Sequence, residues 1–113
     1  MSPPEAAHAT DAGDFHLTAA AAGSLRAQGP LTFASARRAC ALGVQALAQA
    51  ADGALEIDCG GVTASDSAGL AVLLEWLAVA RRARRSLRYT HLPQGLAALA
   101  RISDVRELLE SGV

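Results

Sequence analysis

Apolar and polar positions alternate in three segments of the chain, which is the pattern of half-buried strands. The first segment, 14–21, is followed by Gly23 as a turn signal and by a short partner strand over 24–28, so the two are predicted to form a hairpin. Alternation returns at 54–59 and at 86–91. The pattern therefore predicts four strands.

Between the strands, apolar positions recur at helical spacing. The first predicted helix covers 33–50, with Thr32 able to cap the free N–H groups of its first turn. Its predicted core-facing stripe consists of Phe33, Ala36, Cys40, Val44 and Leu47. Gly43 is interpreted as a point of close packing, and Asp52-Gly53 as the end of the helix.

The second half of the chain continues the alternation of strands and helices. Gly60-Gly61 is predicted to close or bend the third strand, and a central helix follows over 68–82. A short helix is predicted over 94–102, after Pro93 ends the fourth strand. Asp104 and Glu107 resemble a capping box at the start of a last helix.

These elements predict an α/β chain, with a small mixed four-stranded sheet that begins as a hairpin, continues as alternating strands and helices, and is backed by helices. At 113 residues the chain is long enough for one hydrophobic core. Residues 1–13 mix Pro, Ala, Gly and charge without a period, so we expect a disordered tail there. The predicted domain covers 14–113.

Composition excludes several classes of function. The formal charge of −1 gives no electrostatic reason to expect nucleic acid as a partner. Cys40 and Cys59 are too few and too far apart for a disulfide framework or a zinc site, and we expect two reduced, buried thiols. No apolar run reaches the roughly 18–20 residues needed to span a bilayer, and no signal-peptide pattern precedes 14–21. The chain is therefore expected to be cytoplasmic.

Catalytic and metal-binding patterns are also missing. His8, His16 and His91 have no spacing that suggests a metal site or a catalytic triad. Asp58 and Asp66 are not accompanied by a phosphate-cradling loop or by metal-ligand residues. We therefore expect neither an enzyme nor a protein with a cofactor of its own.

The central helix carries two apolar stripes. One stripe is typical of a core-facing surface and consists of Leu70, Leu73, Leu74 and Leu77. The second lies on roughly the opposite side and consists of Ala68, Val72, Trp76 and Val79. Either the terminal helices cover this second stripe, or Trp76 anchors an exposed docking patch for another protein. We favour docking, which predicts that Trp76→Glu abolishes binding but leaves the domain folded.

The turn before this helix carries the polar part of the same predicted surface. Asp66 or Ser67 can accept the free backbone N–H groups as the N-cap residue, and Gly69 permits a close approach to the first turn. Since one cap is enough, the Ser67 hydroxyl is expected to face outward. Phosphate on Ser67 would be tolerated at a helix N-terminus.

The segments Asp58-Cys59-Gly60-Gly61-Val62, Asp66-Ser67-Ala68-Gly69-Leu70 and Ala100-Arg101-Ile102-Ser103-Asp104-Val105 resemble the STAS domain of bacterial anti-sigma-factor antagonists. The resemblance covers about 14–110. It implies a small mixed sheet backed by helices, with the turn and the following helix as the partner-binding surface. Those antagonists are phosphorylated on the hydroxyl residue immediately before the glycine, where this chain has Ala68, although Ser67 next to it carries a hydroxyl.

The run Ser67-Ala68-Gly69-Leu70-Ala71 is more similar to the MlaB branch of the family, the STAS subunit of the bacterial phospholipid ABC transporter that maintains outer-membrane lipid asymmetry. This resemblance implies a non-catalytic subunit that binds and supports an MlaF-like ATPase, which would hold the ATP. The chain would be peripheral to the inner membrane through that partner. The partner-binding residues implied are Asp66, Ser67, Ala68, Gly69, Val72, Trp76 and Val79.

Two interpretations stay open. The alternative function is an anti-sigma-factor antagonist in a partner-switching pathway, bound by an anti-sigma kinase and phosphorylated on Ser67. The arginines that follow the central helix, at 81, 82, 84, 85 and 88, are interpreted as a solvated helix end, with acidic partner residues or anionic lipid as the alternative.

Overall fold

The computed structural model describes residues 14–49 and 53–112. The predicted tail at 1–13 lies outside these residues, and so does Asp52 at the predicted end of the first helix. Within them, the predicted order of strands and helices is confirmed.

Four strands form one mixed sheet in the order β1-β2-β3-β4. Their bounds are His16–Ala21 for β1, Ser24–Leu31 for β2, Ala54–Ser65 for β3 and Ser86–Thr90 for β4. The first two strands pair antiparallel, as the predicted hairpin requires, and the β2–β3 and β3–β4 pairs are parallel.

Within 14–49 and 53–112, four helices connect and follow these strands. They are α1 over Ala36–Gln49, α2 over Ser67–Arg82, α3 over Gln94–Ile102 and α4 over Arg106–Ser111. Alternate residues of β3 and β4 are buried, so the helices lie on one face of the sheet. The core between the layers includes Leu31, Ile57, Trp76, Tyr89 and Leu96.

The third strand is longer than its alternation predicts, because it continues through Gly60-Gly61 to Ser65. Its register with β2 shifts twice along this stretch, so the glycines bend the strand and do not close it. A side chain at Gly61 would meet the carbonyl oxygen of Ala27 on β2 at 2.9 Å. The extension carries the chain directly into the turn before α2.

The first helix begins later than predicted and presents a different face to the core. Thr32 does not cap it; the Thr32 N–H donates to the Ser35 hydroxyl at 2.9 Å, and the first helical bond is accepted by the Ser35 carbonyl. The buried positions are Ala39, Gly43 and Leu47. Of the predicted stripe, Phe33 is 83% exposed, Val44 is exposed, and Ala36 and Cys40 are half-buried.

Two smaller predictions at the C-terminal end are also wrong. The β4 strand ends at Thr90, since His91 adopts a left-handed backbone conformation and is exposed. The last helix has Val105 at its N-cap and no side-chain cap, because Asp104 itself adopts a left-handed conformation with φ of 62°. The helix over 94–102 has the predicted bounds.

Candidate functional site

Asp66 connects the start of α2 to the turn that precedes α1. Its Oδ1 accepts the N–H groups of Ala68 at 2.9 Å and Gly69 at 3.1 Å, which makes it the N-cap of α2. Its Oδ2 accepts the N–H of Phe33 at 3.0 Å, from the turn that precedes α1. The Phe33 N–H, followed by those of Gly69 and Ala68, lowers the pKa of this carboxyl below its ordinary value.

The close approach that Gly69 permits is to the chain itself. A side chain at this position would come within 2.0 Å of the carbonyl oxygen of Leu31, at the end of β2. Gly69 is buried in this contact. It therefore belongs to the packing between β2 and α2, and the prediction that it touches a partner is wrong.

Ser67 is the first residue of α2 and is exposed. In the part of the chain that the structure describes, its hydroxyl has no hydrogen-bond partner, since Asp66 supplies the cap. Its outward orientation agrees with the sequence-based expectation. A free hydroxyl at a helix N-terminus can hydrogen-bond to a partner or accept a phosphate.

The prediction that Trp76 anchors an exposed patch is wrong. Its side chain is 0% exposed and packs between Phe15, with ring centroids 6.1 Å apart, and Tyr89, at 6.5 Å. The indole N–H donates to the carbonyl oxygen of Cys40 at 3.3 Å. Trp76 is therefore a core residue, and Trp76→Glu would place a carboxylate inside the fold.

The second apolar stripe of the central helix is covered by α1, an alternative that the pattern alone did not suggest. Gly43 lies against the Trp76 ring, where a side chain on this residue would come within 2.0 Å of the indole. Val72 is 5% exposed, and Val79 is half-buried against the core. The two ends of the stripe, Ala68 and Val79, are half-buried, and Val72 and Trp76 between them are buried.

A shallow apolar hollow of about 760 Å³ opens between the N-terminal halves of α1 and α2, next to the turn. We call it the interhelical hollow. Its apolar lining consists of Phe33, Ala36, Cys40, Ala41, Ala68, Ala71 and Val72, with Arg37 and Glu75 as the charged members. The sequence pattern missed most of this surface, because it assigned Phe33, Ala36 and Cys40 to the core. Phe33 is not part of the helical stripe, because α1 begins only at Ala36.

The other candidate groups are the metal-ligating side chains and the two cysteines. Within 14–49 and 53–112, no three His, Cys, Asp or Glu side chains are grouped as metal ligands. Burial, with a smaller effect of Asp58, raises the pKa of the Cys59 thiol to about 12, so this thiol is unreactive. Cys40 is half-buried in the interhelical hollow. The prediction of two buried thiols holds for Cys59 alone.

The arginines after the central helix are exposed, except for the half-buried Arg85. Arg82 lies 3.5 Å from Glu75, and Arg88 pairs with Glu56 on β3. Such exposed ion pairs contribute little to stability, as expected for a solvated helix end.

Comparison with known proteins identifies the class. The chain matches the family model described as "Mlab, STAS domain" over residues 17–110. It therefore belongs to the STAS domain family, and the model that it matches is the MlaB type. No curated protein sequence matched the chain.

Among solved structures, the fold is similar to that of the anti-sigma factor antagonist SpoIIAA in its unphosphorylated form. The TM-score is 0.58 at 12% sequence identity, over 78% of this chain and 82% of that chain. The likeness establishes the fold. STAS domains are generally interaction domains without catalytic activity, and neither match points to an enzyme family. None of the helices in the described residues is long and apolar enough to cross a membrane.

Proposed function

We propose that this chain is a non-catalytic accessory subunit that binds and supports the ATPase of a bacterial phospholipid ABC transporter. The match to the MlaB-type family model supports this proposal. The observation that carries it is the 83% exposed Phe33 side chain, which borders an apolar hollow beside the free hydroxyl of Ser67. ATP would be bound by the partner, and the partner would bring the chain to the membrane.

The interhelical hollow has the properties of a protein-docking surface. Phe33, Ala68 and Ala71 contribute apolar area, while Arg37 and Glu75 provide charges of both signs. Exposed aromatic side chains of this kind are typical interface anchors, because burying them against a partner removes a large apolar area from water. The proposed contact therefore differs from the sequence-based prediction in its anchor, which is Phe33 and not Trp76.

Ser67 is the proposed polar contact. Its hydroxyl is exposed at the start of α2, and Ala68 beside it lines the hollow. A partner that covers the hollow would also cover this hydroxyl. Threonine at this position should be tolerated, whereas arginine would place a long charged side chain inside the contact.

The alternative function is an anti-sigma-factor antagonist regulated by serine phosphorylation. The exposed, unpaired hydroxyl of Ser67 favours it, because a phosphate there would sit at the N-terminus of a helix. Mass spectrometry after incubation with an anti-sigma kinase from the same genome distinguishes the two functions. Stoichiometric phosphate on Ser67 would favour the antagonist.

The proposed function is tested by co-purification with the ABC ATPase encoded beside a permease and a lipid-binding substrate protein. We expect Phe33→Asp to weaken binding by about 30-fold or more, as for a hot-spot aromatic residue. Ser67→Arg should also lose the complex, and Ser67→Thr should retain it. The matched control is Ile102→Asp, since Ile102 is 82% exposed and does not line the hollow.

Each variant is first checked by thermal unfolding, because these exposed side chains should contribute little to the core. If Phe33→Asp and Ile102→Asp bind the ATPase equally well, the hollow is not the docking surface. If the wild-type chain captures no such ATPase, the adaptor function itself is wrong.

A further inference from the structure

The Phe33 side chain depends on its backbone for its position. The residue is 83% exposed and lies in the turn between Leu31, at the end of β2, and Ala36, at the start of α1. A side chain that is buried so little has few contacts of its own to restrict its conformation. Whatever orders this turn therefore also places the proposed anchor.

One set of contacts orders the turn from within. The Ser35 hydroxyl donates to the carbonyl oxygen of Pro30 at 2.8 Å and accepts the N–H of Thr32 at 2.9 Å. Ser35 is 9% exposed, so this bond network is largely shielded from water. It closes the turn locally but does not connect it to α2.

A second contact connects the turn to α2. The Asp66 Oδ2 accepts the Phe33 N–H at 3.0 Å, across 33 positions of the sequence. The other oxygen of the same carboxylate is occupied by the N–H groups of Ala68 and Gly69. One side chain thus caps α2 and also bonds to the backbone of Phe33. Phe33 and Ala68 line the interhelical hollow from its two walls.

We propose that Asp66 is a positioning residue for docking, whose Oδ2 holds the 32–35 turn so that Phe33 is presented beside Ser67 before the partner arrives. This inference rests on the proposed function and assigns Asp66 an indirect role in it. Ordering an interface side chain in advance lowers the entropy cost of association. The resemblance-based expectation that Asp66 contacts the partner is thereby replaced by action through Phe33.

Asp66→Asn separates the two tasks of the carboxylate. The amide oxygen can still accept the N–H groups of Ala68 and Gly69 and so cap the helix. The amide nitrogen is a donor, so it cannot accept the Phe33 N–H. The matched control is Asp58→Asn, which removes the same charge and changes the acceptor of the Gly60 N–H, away from the hollow.

The first measurement is amide hydrogen exchange on the isolated full chain. We expect Asp66→Asn to accelerate exchange at Phe33 and its neighbours in the turn by a larger factor than in the sheet and in α2, where protection falls only with the global stability. Asp58→Asn should leave the turn unchanged. Wild-type protection of the Phe33 amide in Asp66→Asn would overturn the proposal.

The second measurement is the affinity for the ATPase in a double-mutant cycle with Phe33→Ala. Asp66→Asn should weaken binding by about two- to tenfold, the effect of ordering one interface side chain. In the Phe33→Ala background the same substitution should have little further effect, because its only route to the partner has been removed. Equal losses in both backgrounds would show that Asp66 contacts the partner directly and would refute the positioning role.

The two measurements keep the proposals distinguishable. If the wild-type chain does not bind the ATPase, the proposed function fails, while hydrogen exchange still decides whether Asp66 holds Phe33. If the wild-type chain binds and Asp66→Asn binds equally well, the positioning proposal fails and the adaptor function stands.

Discussion

Asp66 caps the central helix and also bonds to the turn that carries the exposed Phe33. The sequence predicted Asp66 or Ser67 as the N-cap of the central helix, because short polar side chains before an apolar helical run are a local signal, and in the structure the cap is Asp66. The bond to Phe33 has no local signal, since the two residues are 33 positions apart. The cap was predictable and the link between the two helix starts was not.

The lowered pKa of Asp66 predicts how stability depends on pH. The folded chain favours the charged carboxylate, chiefly through the Phe33 N–H and then through those of Gly69 and Ala68. The contribution of this group to the free energy of unfolding is therefore complete above its ordinary pKa of 3.8 and is lost as pH falls through the lowered pKa.

This dependence is measured as the free energy of unfolding of wild type and Asp66→Asn across pH, by chemical denaturation. The wild type should be the more stable near neutral pH, and the difference should shrink below about pH 4, where the carboxylate of the unfolded chain protonates. A difference that stays constant down to the most acidic conditions would contradict the prediction.

At the scale of the elements, the contact between α1 and α2 depends on one glycine. The sequence interpretation of Gly43 as a point of close packing is confirmed, because its missing side chain leaves room for the Trp76 ring. The same contact explains why the predicted stripe on α1 was misplaced. Small residues, Ala39 and Gly43, face the core, and larger ones such as Phe33 and Val44 are exposed.

Two glycine substitutions test this contact. Gly43→Ala should destabilise the fold by about 1–3 kcal/mol through overpacking, because the added methyl would meet the indole, and this outweighs its gain of about 1 kcal/mol in helix propensity. Gly95→Ala is the matched control on α3, where the nearest atom is the Ser65 hydroxyl oxygen at 3.8 Å.

Gly95→Ala should be neutral or stabilise the fold by up to about 1 kcal/mol, since it only restricts the unfolded chain. Urea denaturation of both variants provides the comparison. Stabilisation by Gly43→Ala would mean that the two helices separate easily, and that the packing at Trp76 is not the constraint that we infer.

At the scale of the whole molecule, Trp76 on α2 contacts both the sheet and α1. It contacts Phe15 ahead of β1 and Tyr89 on β4, and its indole N–H bonds to the backbone of α1. Tyr89 in turn donates its hydroxyl to the Leu73 carbonyl oxygen at 2.7 Å. Removing the indole therefore affects every layer of the fold.

Trp76→Ala should cost about 3–5 kcal/mol of stability, as for other large-to-small changes in cores. That is a large part of the 5–15 kcal/mol that typically holds a domain together. Circular dichroism during urea denaturation measures it, because the variant lacks the single tryptophan of the chain. Ile102→Ala, at an exposed position, should change stability by less than about 0.5 kcal/mol. A similar small change for Trp76→Ala would contradict its core role.

The order of the elements, the hairpin, the cap at Asp66, the exposed hydroxyl of Ser67 and the bounds of the short helix over 94–102 all followed from the sequence. Each depends on neighbouring residues, through side-chain periodicity, capping or turn chemistry. The later start of α1 is a case where two local signals competed. Thr32 was predicted to cap the helix, but Ser35 closes a turn before the helix begins.

The sequence by itself thus determined which elements form and where the polar turn lies, because those properties are short in range. Only the tertiary structure decided which face of each helix is covered. Gly43 leaves room for the Trp76 ring in the core. The carboxylate of Asp66 accepts the N–H of Phe33, which lines the interhelical hollow. Both are contacts between residues far apart in the chain, which no local pattern records.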